Sequence, residues 1–237
     1  MSLFAIADLH LSLGTNKPMD DFPGWSGYVS RLESNWRRLI TPQDTVVIAG
    51  DISWGMSLEE AKPDFAWIDR LPGHKLLMKG NHDYWWTTRR KMDTFLEACG
   101  FSTLSILHND AYAVDGQLAV CGTRGWFYDA EEDADKKVLA REVGRLQMSI
   151  AAAKRTGLEP VAFLHYPPVY AGAVCEEILQ VLREERIARC YYGHIHGAGI
   201  RKAFSGEQDG IALRLISSDG LSFLPLHIPP DADISQA

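Results

Sequence analysis

No apolar stretch in this 237-residue chain approaches the ~18 residues that a membrane-spanning helix requires, which excludes a helical integral membrane protein. The N-terminus also lacks a basic region leading into an apolar core and a small-residue cleavage site. Leu3 to Ala7 is too short and runs straight into Asp8, so a cytoplasmic location is expected. Cysteine is scarce. Cys99, Cys121, Cys175 and Cys190 stand far apart with no CxxC pair, excluding a disulfide framework and a thiolate zinc site and leaving buried free thiols. Positive charge is in deficit: a formal charge of −7 and the absence of basic runs argue against a broad face for duplex nucleic acid. Internal repeats, low-complexity segments and a linker are absent too. A single domain over residues 1–228 is expected, with the polar, proline-led residues 229–237 as a flexible tail.

What the chain does have is a series of short apolar runs, each ending in residues able to bind a metal. Leu3 to Ala7 leads into Asp8-Leu9-His10, Thr45 to Ala49 into Gly50-Asp51, and Lys75 to Lys79 into Gly80-Asn81-His82-Asp83. Val161 to Leu164 leads into His165, and Arg189 to Tyr192 into Gly193-His194-Ile195-His196. The runs are short, β-branched or aromatic-rich and read as buried strands of an α/β sheet. In such sheets ligands gather beyond the carboxyl ends of the strands, so these ends are expected to converge on one place.

Helical periodicity fills the intervals. Tyr28, Leu32, Trp36 and Leu39 share one face over roughly 26 to 40, as do Leu58, Ala61, Phe65 and Ile68 over roughly 57 to 70. Ser57 with Glu60 has the pattern of a capping box, although Pro63 suggests a kink or a later start. Three further helices are marked by Met92, Phe95, Leu96 and Cys99, by Leu139, Val143, Leu146 and Ile150, and by Val174, Ile178 and Val181. Leu104 to Leu107, Ala111 to Val114 and Leu118 to Cys121 read as a β-meander, and Ile211 to Ile216 with Leu221 to Leu226 as a hairpin around Asp219-Gly220. These elements imply a four-layer αββα sandwich: two mixed sheets packed face to face with helices outside.

The candidate ligands are the carboxylates Asp8 and Asp51, the amide of Asn81, and the imidazoles His10, His165, His194 and His196. Mixed nitrogen and oxygen donors suit Mn, Fe, Zn, Ni or Co better than Mg or Ca. Two such ions would add four positive charges where the chain supplies two carboxylates, making an acidic protein locally attractive to phosphate. Seven polar or charged groups converging in a core without a cation would cost several kcal/mol.

The blocks D-x-H, G-D, G-N-H-D, H and G-H-x-H, in this order and spanning residues 8 to 196, resemble those of the calcineurin-like metallophosphoesterases. The resemblance implies one metal on Asp8, His10, Asp51 and His196 and another on Asp51, Asn81, His165 and His194, with Asp51 bridging. It implies hydrolysis of a phosphomonoester or phosphodiester by a hydroxide held between metals ~3.5–4 Å apart. His82 is implied as a catalytic group that stabilises the transition state or protonates the leaving oxygen, and Asp83 as its possible orienting partner. The Ser/Thr protein phosphatase branch continues G-D as G-D-x-V-D-R-G and reads G-N-H-E, whereas here the blocks are Gly50-Asp51-Ile52-Ser53-Trp54-Gly55 and Gly80-Asn81-His82-Asp83. A small phosphorylated substrate is therefore expected rather than a protein. Other readings are a nuclease, against which the acidic balance counts, and an interaction module on the same fold, which would be expected to have lost ligand positions.

Substrate contacts are expected from Asn81 and from Arg124, in Gly122-Thr123-Arg124-Gly125-Trp126, whose guanidinium can clamp a phosphate; a surface salt bridge is the other reading. Trp54, Tyr84, Trp85, Trp86 and Trp126 cluster near the blocks. Core packing is the simpler expectation for them and an aromatic wall for a base the other. Tyr166-Pro167-Pro168 is expected to fix the loop after His165.

Overall fold

The structure is a computed structural model and describes residues 1–126 and 132–230. In chain order the first half comprises β1 (Leu3–Ile6), α1 (Tyr28–Leu39), β2 (Thr45–Ile48), α2 (Leu58–Asp69), β3 (His74–Leu77), α3 (Arg89–Cys99) and β4 (Leu104–Ile106). The remainder comprises β5 (Tyr112–Val114), β6 (Leu118–Thr123), α4 (Asp133–Lys154), β7 (Glu159–Leu164), the short pair β8 (Val169–Tyr170) and β9 (Ala173–Val174), α5 (Glu176–Glu184), β10 (Arg189–Tyr192), β11 (Gly206–Gln208), β12 (Ile211–Leu215) and β13 (Leu226–Ile228). One sheet has the order β13-β1-β2-β3-β4 and the other β11-β12-β10-β7-β6-β5. Both are mixed. β1 to β4 run parallel with β13 antiparallel at the edge, and β6, β7, β10 and β12 run parallel between antiparallel β5 and β11.

Alternation along the strands builds the layers. Phe4, Ile6, Val46 and Ile48 point to α1, α2 and α3, where they meet Tyr28, Leu32, Trp36, Phe65, Ile68, Met92 and Leu96. Their neighbours Leu3, Ala5, Val47 and Ala49 point the other way, onto Leu118, Val120, Val161, Phe163 and Tyr191 of the second sheet. Ala119, Cys121, Ala162, Leu164, Cys190 and Tyr192 face α4 and α5. Three apolar interfaces thus separate four layers, the αββα sandwich expected from the sequence. Because both faces of the central strands are covered, they read as unbroken apolar runs.

Several local expectations are corrected. The three runs between 104 and 122 do not form one meander: β4 pairs with β3 in the first sheet, and only β5 and β6 form a hairpin, in the second. Leu104 and Ile106 face the helix side, whereas Leu107 and Val114 lie between the sheets. Period-two alternation reports burial and not the identity of the neighbouring strand. Likewise Ile211 to Ile216 and Leu221 to Leu226 are not a hairpin. β12 lies parallel to β10 and β13 antiparallel to β1, so the segment around Asp219-Gly220 crosses between sheets. Pro63 does not delay α2, which starts at Leu58 with Ser57 Oγ accepting from Glu60 N, while Glu60 Oε2 accepts from Met56 N. Val174 belongs to β9, and α5 begins at Glu176. Pro229 and Pro230 are tied down by the Arg189 guanidinium through their carbonyls; the rest of the expected tail, 231–237, lies outside the described residues. No helix among the described residues is long and apolar enough to cross a membrane.

Candidate metal centre

All candidate ligands follow the carboxyl ends of parallel strands that are neighbours within each sheet: β1, β2 and β3 in one, β7 and β10 in the other. Stacking the sheets brings the two sets of ends together. Close approach is possible because the residues before Asp51 and Asn81 are glycine. A Cβ on Gly80 would lie 2.1 Å from Asp51 Oδ1, and one on Gly50, at φ +92°, would lie 2.6 Å from His165 Nδ1 and 2.7 Å from Gly80 Cα. The backbone is also held in the left-handed region at Asp8 (φ 60°), His10 (φ 46°), Asp51 (φ 51°) and His194 (φ 72°). Such conformations cost about 1–3 kcal/mol each and persist where surrounding contacts fix them, typically at functional sites.

Two groups of donor atoms result, Asp8, His10 and His196 in one and Asp51, His165 and His194 in the other, with the atoms of each group within 4.8 Å of one another. Asp51 Oδ2 stands between them, 3.7 Å from His10 Nε2 and 3.5 Å from His165 Nε2. Asn81 Oδ1 lies 2.7 Å from His165 Nε2 and 2.9 Å from His194 Nδ1, while Asp8 Oδ1 lies 3.3 Å from His196 Nε2. The amide, both carboxylates and four imidazoles named from the sequence are therefore one constellation. Its first group also brings two imidazole nitrogens, His10 Nε2 and His196 Nε2, to 3.3 Å.

The sequence profile of the calcineurin-like phosphoesterases matches residues 1–198, which contain every one of these donors. The chain belongs to that family. Family members are metal-dependent hydrolases of phosphoesters, and the two donor groups are the matching feature here. The fold is shared with the phosphopantetheinyl hydrolase (PptH) of Mycobacterium tuberculosis, with a TM-score of 0.56 at 16% identity over 97% of this chain and 96% of that one. It is shared also with TT1561 of Thermus thermophilus, with a TM-score of 0.57 at 9% identity over 97% and 98%. A protein of unknown function from Aquifex aeolicus, AQ665, aligns over 95% of both chains with a TM-score of 0.50 at 14% identity. No curated protein matches the sequence.

The donor set of this phosphoesterase fits divalent cations on electrostatic grounds. Asp8 and Asp51 are 0% and 2% exposed, and among the described residues no lysine or arginine pairs with either. Buried carboxylates left without a cation cost several kcal/mol. Burial, with Asp83 and Asp8 adding to it, raises the Asp51 pKa well above the usual carboxylate value. Burial depresses His10 to about 3 and His194 to about 4, and holds His165 well below its ordinary value, so these imidazoles are neutral nitrogen donors at pH 7. At His196 burial is outweighed by Asp8 and Asp219, which lift it to about 10. A metal at that nitrogen must displace a proton.

Contacts behind the donors orient them. His165 Nδ1 lies 3.1 Å from the Ala49 carbonyl, and Tyr28 Oη donates to the His10 carbonyl at 2.8 Å. Asp219 Oδ1 lies 3.1 Å from His196 Nδ1, and its Oδ2 accepts from Gly197 N at 2.8 Å, turning the His196 Nε2 toward Asp8. From the sequence Asp219 reads as a turn residue; nothing local signals its contact with His196. Trp25 is a second addition. It is buried with its ring 5.9 Å from His10 and 5.7 Å from His196, and neither its spacing nor its neighbours pointed there.

Asp83 does not face the His82 ring. It is 1% exposed, and its carboxylate accepts from the backbone N–H groups of Asp51 (2.9 Å), Ile52 (2.8 Å), Ser53 (3.3 Å) and Gly80 (2.7 Å) and from the Trp85 indole (3.0 Å). It staples the Gly50-Asp51 loop to the Gly80-Asn81 loop. Burial still raises its pKa, against the pull of those donors. His82 sits at the rim: its backbone N–H donates to Asp51 Oδ1 at 2.8 Å, its ring centroid is 5.7 Å from that of His10, and its Nδ1 has no hydrogen-bond partner among the described residues.

The aromatic residues divide. Trp54 stacks on His10 at 5.0 Å and leans on His82 at 4.6 Å, so it lines the site. Trp85 is core, packed on Phe65, and Trp86 packs against Trp85 and His108. Tyr84 is exposed, 6.1 Å from His82. Trp126 meets Tyr166, whose ring lies 4.4 Å from His194, so Tyr166 forms part of the wall as well as fixing its loop. Arg124 is half-buried, with its guanidinium over Trp126 and 3.5 Å from Glu142 rather than at the surface.

Proposed function

We propose that the protein is a binuclear metal-dependent phosphohydrolase acting on a small phosphomonoester or phosphodiester. The single observation that carries this reading is Asp51 Oδ2 standing between two groups of imidazole and carboxylate donors. One ion would be held by Asp8, His10, Asp51 and His196, the other by Asp51, Asn81, His165 and His194. Mn, Fe, Zn, Ni and Co suit that mixture of nitrogen and oxygen. Such a pair supplies Lewis acidity toward phosphoryl oxygens and makes water acidic enough to ionise near neutral pH.

The protein's own part is positioning and proton transfer. Asp83 fixes the backbone at Asp51 and Gly80, so that two ligands from different strands keep their separation. His82, at the rim of the site with its backbone N–H on Asp51 Oδ1 and its Nδ1 without a hydrogen-bond partner among the described residues, is the group at hand to protonate the leaving oxygen, a contribution of ~10²–10⁴-fold. Trp54 covers His10 and His82 and limits water on that side. β13 beside β1 supports reading residues 1–228 as one domain, and four free thiols suit a reducing cytoplasm.

The test is metal content together with Mn-dependent hydrolysis of p-nitrophenyl phosphate and bis-p-nitrophenyl phosphate, on wild type and Asp51→Asn. Two metals and hydrolysis, both lost in the variant, support the proposal, and the preferred ester separates monoesterase from diesterase. Bound metal with no turnover favours an interaction module, and absence of metal binding refutes the proposal.

A further inference from the structure

Asp64, on α2, is 0% exposed, and among the described residues no cation pairs with it. A buried carboxylate in that state is costly unless hydrogen bonds offset its desolvation, and an apolar residue of similar size avoids the cost. What the carboxylate contributes lies in the loops it joins. Its Oδ1 accepts from Leu13 N at 2.7 Å and its Oδ2 from the Ser53 hydroxyl. Leu13 belongs to the loop after β1, which carries Asp8 and His10, and Ser53 to the loop after β2, which carries Asp51.

The two loops run side by side before they reach Asp64. His10 N donates to the Asp51 carbonyl at 2.9 Å, Leu11 N to that of Ile52 at 3.0 Å, and Trp54 N to that of Leu11 at 2.9 Å. Both loops then press on the first turns of α2 through glycine. A Cβ on Gly14 would lie 2.2 Å from the Glu60 carbonyl oxygen, and one on Gly55 2.6 Å from Ala61 N. Asp64, one turn beyond Glu60, closes the end of the pair. Trp54 stands at that closure, because the Ser53 hydroxyl that donates to Asp64 also accepts from Gly55 N at 3.0 Å and so brackets Trp54 in the chain. The indole Nε1 of Trp54 is enclosed and has no hydrogen-bond partner among the described residues, so no bond of its own aims the ring. The ring nevertheless stacks on His10 at 5.0 Å, 22° from parallel, and leans on His82 at 4.6 Å.

We propose that Asp64 is a positioning residue of the metal centre: through Ser53 it sets the Trp54 ring against His10 and His82, and with it the placement of those two imidazoles. Its effect on rate rests on the phosphohydrolase reading, whereas its hold on Trp54 does not.

The first experiment follows the indole N–H resonances of the chelator-treated full chain in ¹H–¹⁵N spectra, with Trp54 identified by its loss in Trp54→Phe. Asp64→Asn keeps an acceptor for Leu13 N and loses the one for the Ser53 hydroxyl, and Ser53→Ala cuts the same link from the other side. Both should displace the Trp54 resonance and leave that of Trp36, bound to the Pro72 carbonyl, in place. Asp44→Asn is the control, since Asp44 is likewise buried and accepts from Ser2 N and Thr41 at the opposite end of β2. It should lower stability without moving Trp54. A Trp54 resonance unmoved in Ser53→Ala and in folded Asp64→Asn, or moved as far by Asp44→Asn, overturns the proposal. The second experiment measures kcat and KM for p-nitrophenyl phosphate with the Mn-loaded chain. Asp64→Asn and Ser53→Ala should retain wild-type metal content and a KM within about threefold, while kcat falls about 10–100-fold, the cost of misplacing groups around the reacting centre. In a Trp54→Ala background, Asp64→Asn should have no further effect on kcat, because the group it acts through is gone. Additive losses, a parallel loss of metal, or an unchanged kcat in both single variants overturns the positioning role and leaves the phosphohydrolase reading standing. A displaced Trp54 resonance in a protein whose wild type hydrolyses neither p-nitrophenyl ester with any metal supports the hold on Trp54 and removes the phosphohydrolase reading alone.

Discussion

Replacing Asp83 by asparagine keeps its size and removes one acceptor oxygen from a fully enclosed position. Oδ2 accepts from Asp51 N and Gly80 N, and Oδ1 from Ile52 N, Ser53 N and the Trp85 indole. An amide NH₂ must therefore face at least two N–H donors, and the cheaper orientation puts it where Oδ2 was. Each hydrogen bond to a charged acceptor contributes about 1.5–3 kcal/mol, so Asp83→Asn should cost about 3–6 kcal/mol. The raised pKa of Asp83 reflects a desolvation cost that the amide escapes, which favours the lower end. Against a domain stability of about 5–15 kcal/mol the loss is large. Urea denaturation in the presence of chelator isolates it from any metal contribution, and a metal titration of the surviving folded protein reports the consequence at Asp51. Asp83→Glu preserves the charge but forces an extra methylene among the two loops and should fall between. A variant within about 1 kcal/mol of wild type, with unaltered metal affinity, would show that the staple does not hold the two loops.

Three further outcomes follow from the same geometry. His82→Ala should retain metal content while hydrolysis falls by about 10²-fold or more, and a parallel loss of metal would remove His82 from its assigned role. Asp219→Ala should weaken metal binding by about 10–100-fold through a freed His196, with Asp219→Asn retaining part of the effect; isothermal metal titration decides, and unchanged affinity refutes the contact as an orienting one. Burial pushes Cys121 to about 12, Cys175 to about 11 and Cys190 still higher, whereas an unfolded thiol ionises near ~8.5. In that window the unfolded chain sheds protons that the folded one keeps, so stability falls as pH rises, by about 1.4 kcal/mol per pH unit per thiol. Cys121→Ala should flatten this alkaline loss by about that slope, and parallel curves for variant and wild type in denaturation between about pH 9.5 and 11 would contradict it.

Much of this protein was legible in its sequence. Strands such as Thr45–Ile48 are buried on both faces and so appear as unbroken apolar runs, and the donors sit in the few residues after each run, where α/β sheets gather their ligands. Gly50 and Gly80 precede donors because the loops press together there, so even the glycine in each block has a steric cause. What the sequence did not determine depends on which strand lies beside which. Leu104–Ile106 alternates like a hairpin strand yet pairs with β3, and the residues around Asp219 resemble a turn yet cross between sheets. Those two outcomes place Tyr112–Val114 at the edge of the second sheet and Asp219 behind His196. Trp25, Tyr28 and the redirection of Asp83 toward backbone N–H groups belong to the same class. Each arises from contacts between segments far apart in the chain, as with His10 and His196, 186 residues apart and 3.3 Å from nitrogen to nitrogen. Side-chain chemistry and local period are written residue by residue, and so they determined the layers and the donor set. The pairing of sheets and the filling of space between loops are collective, and only the tertiary structure decided how those donors are held.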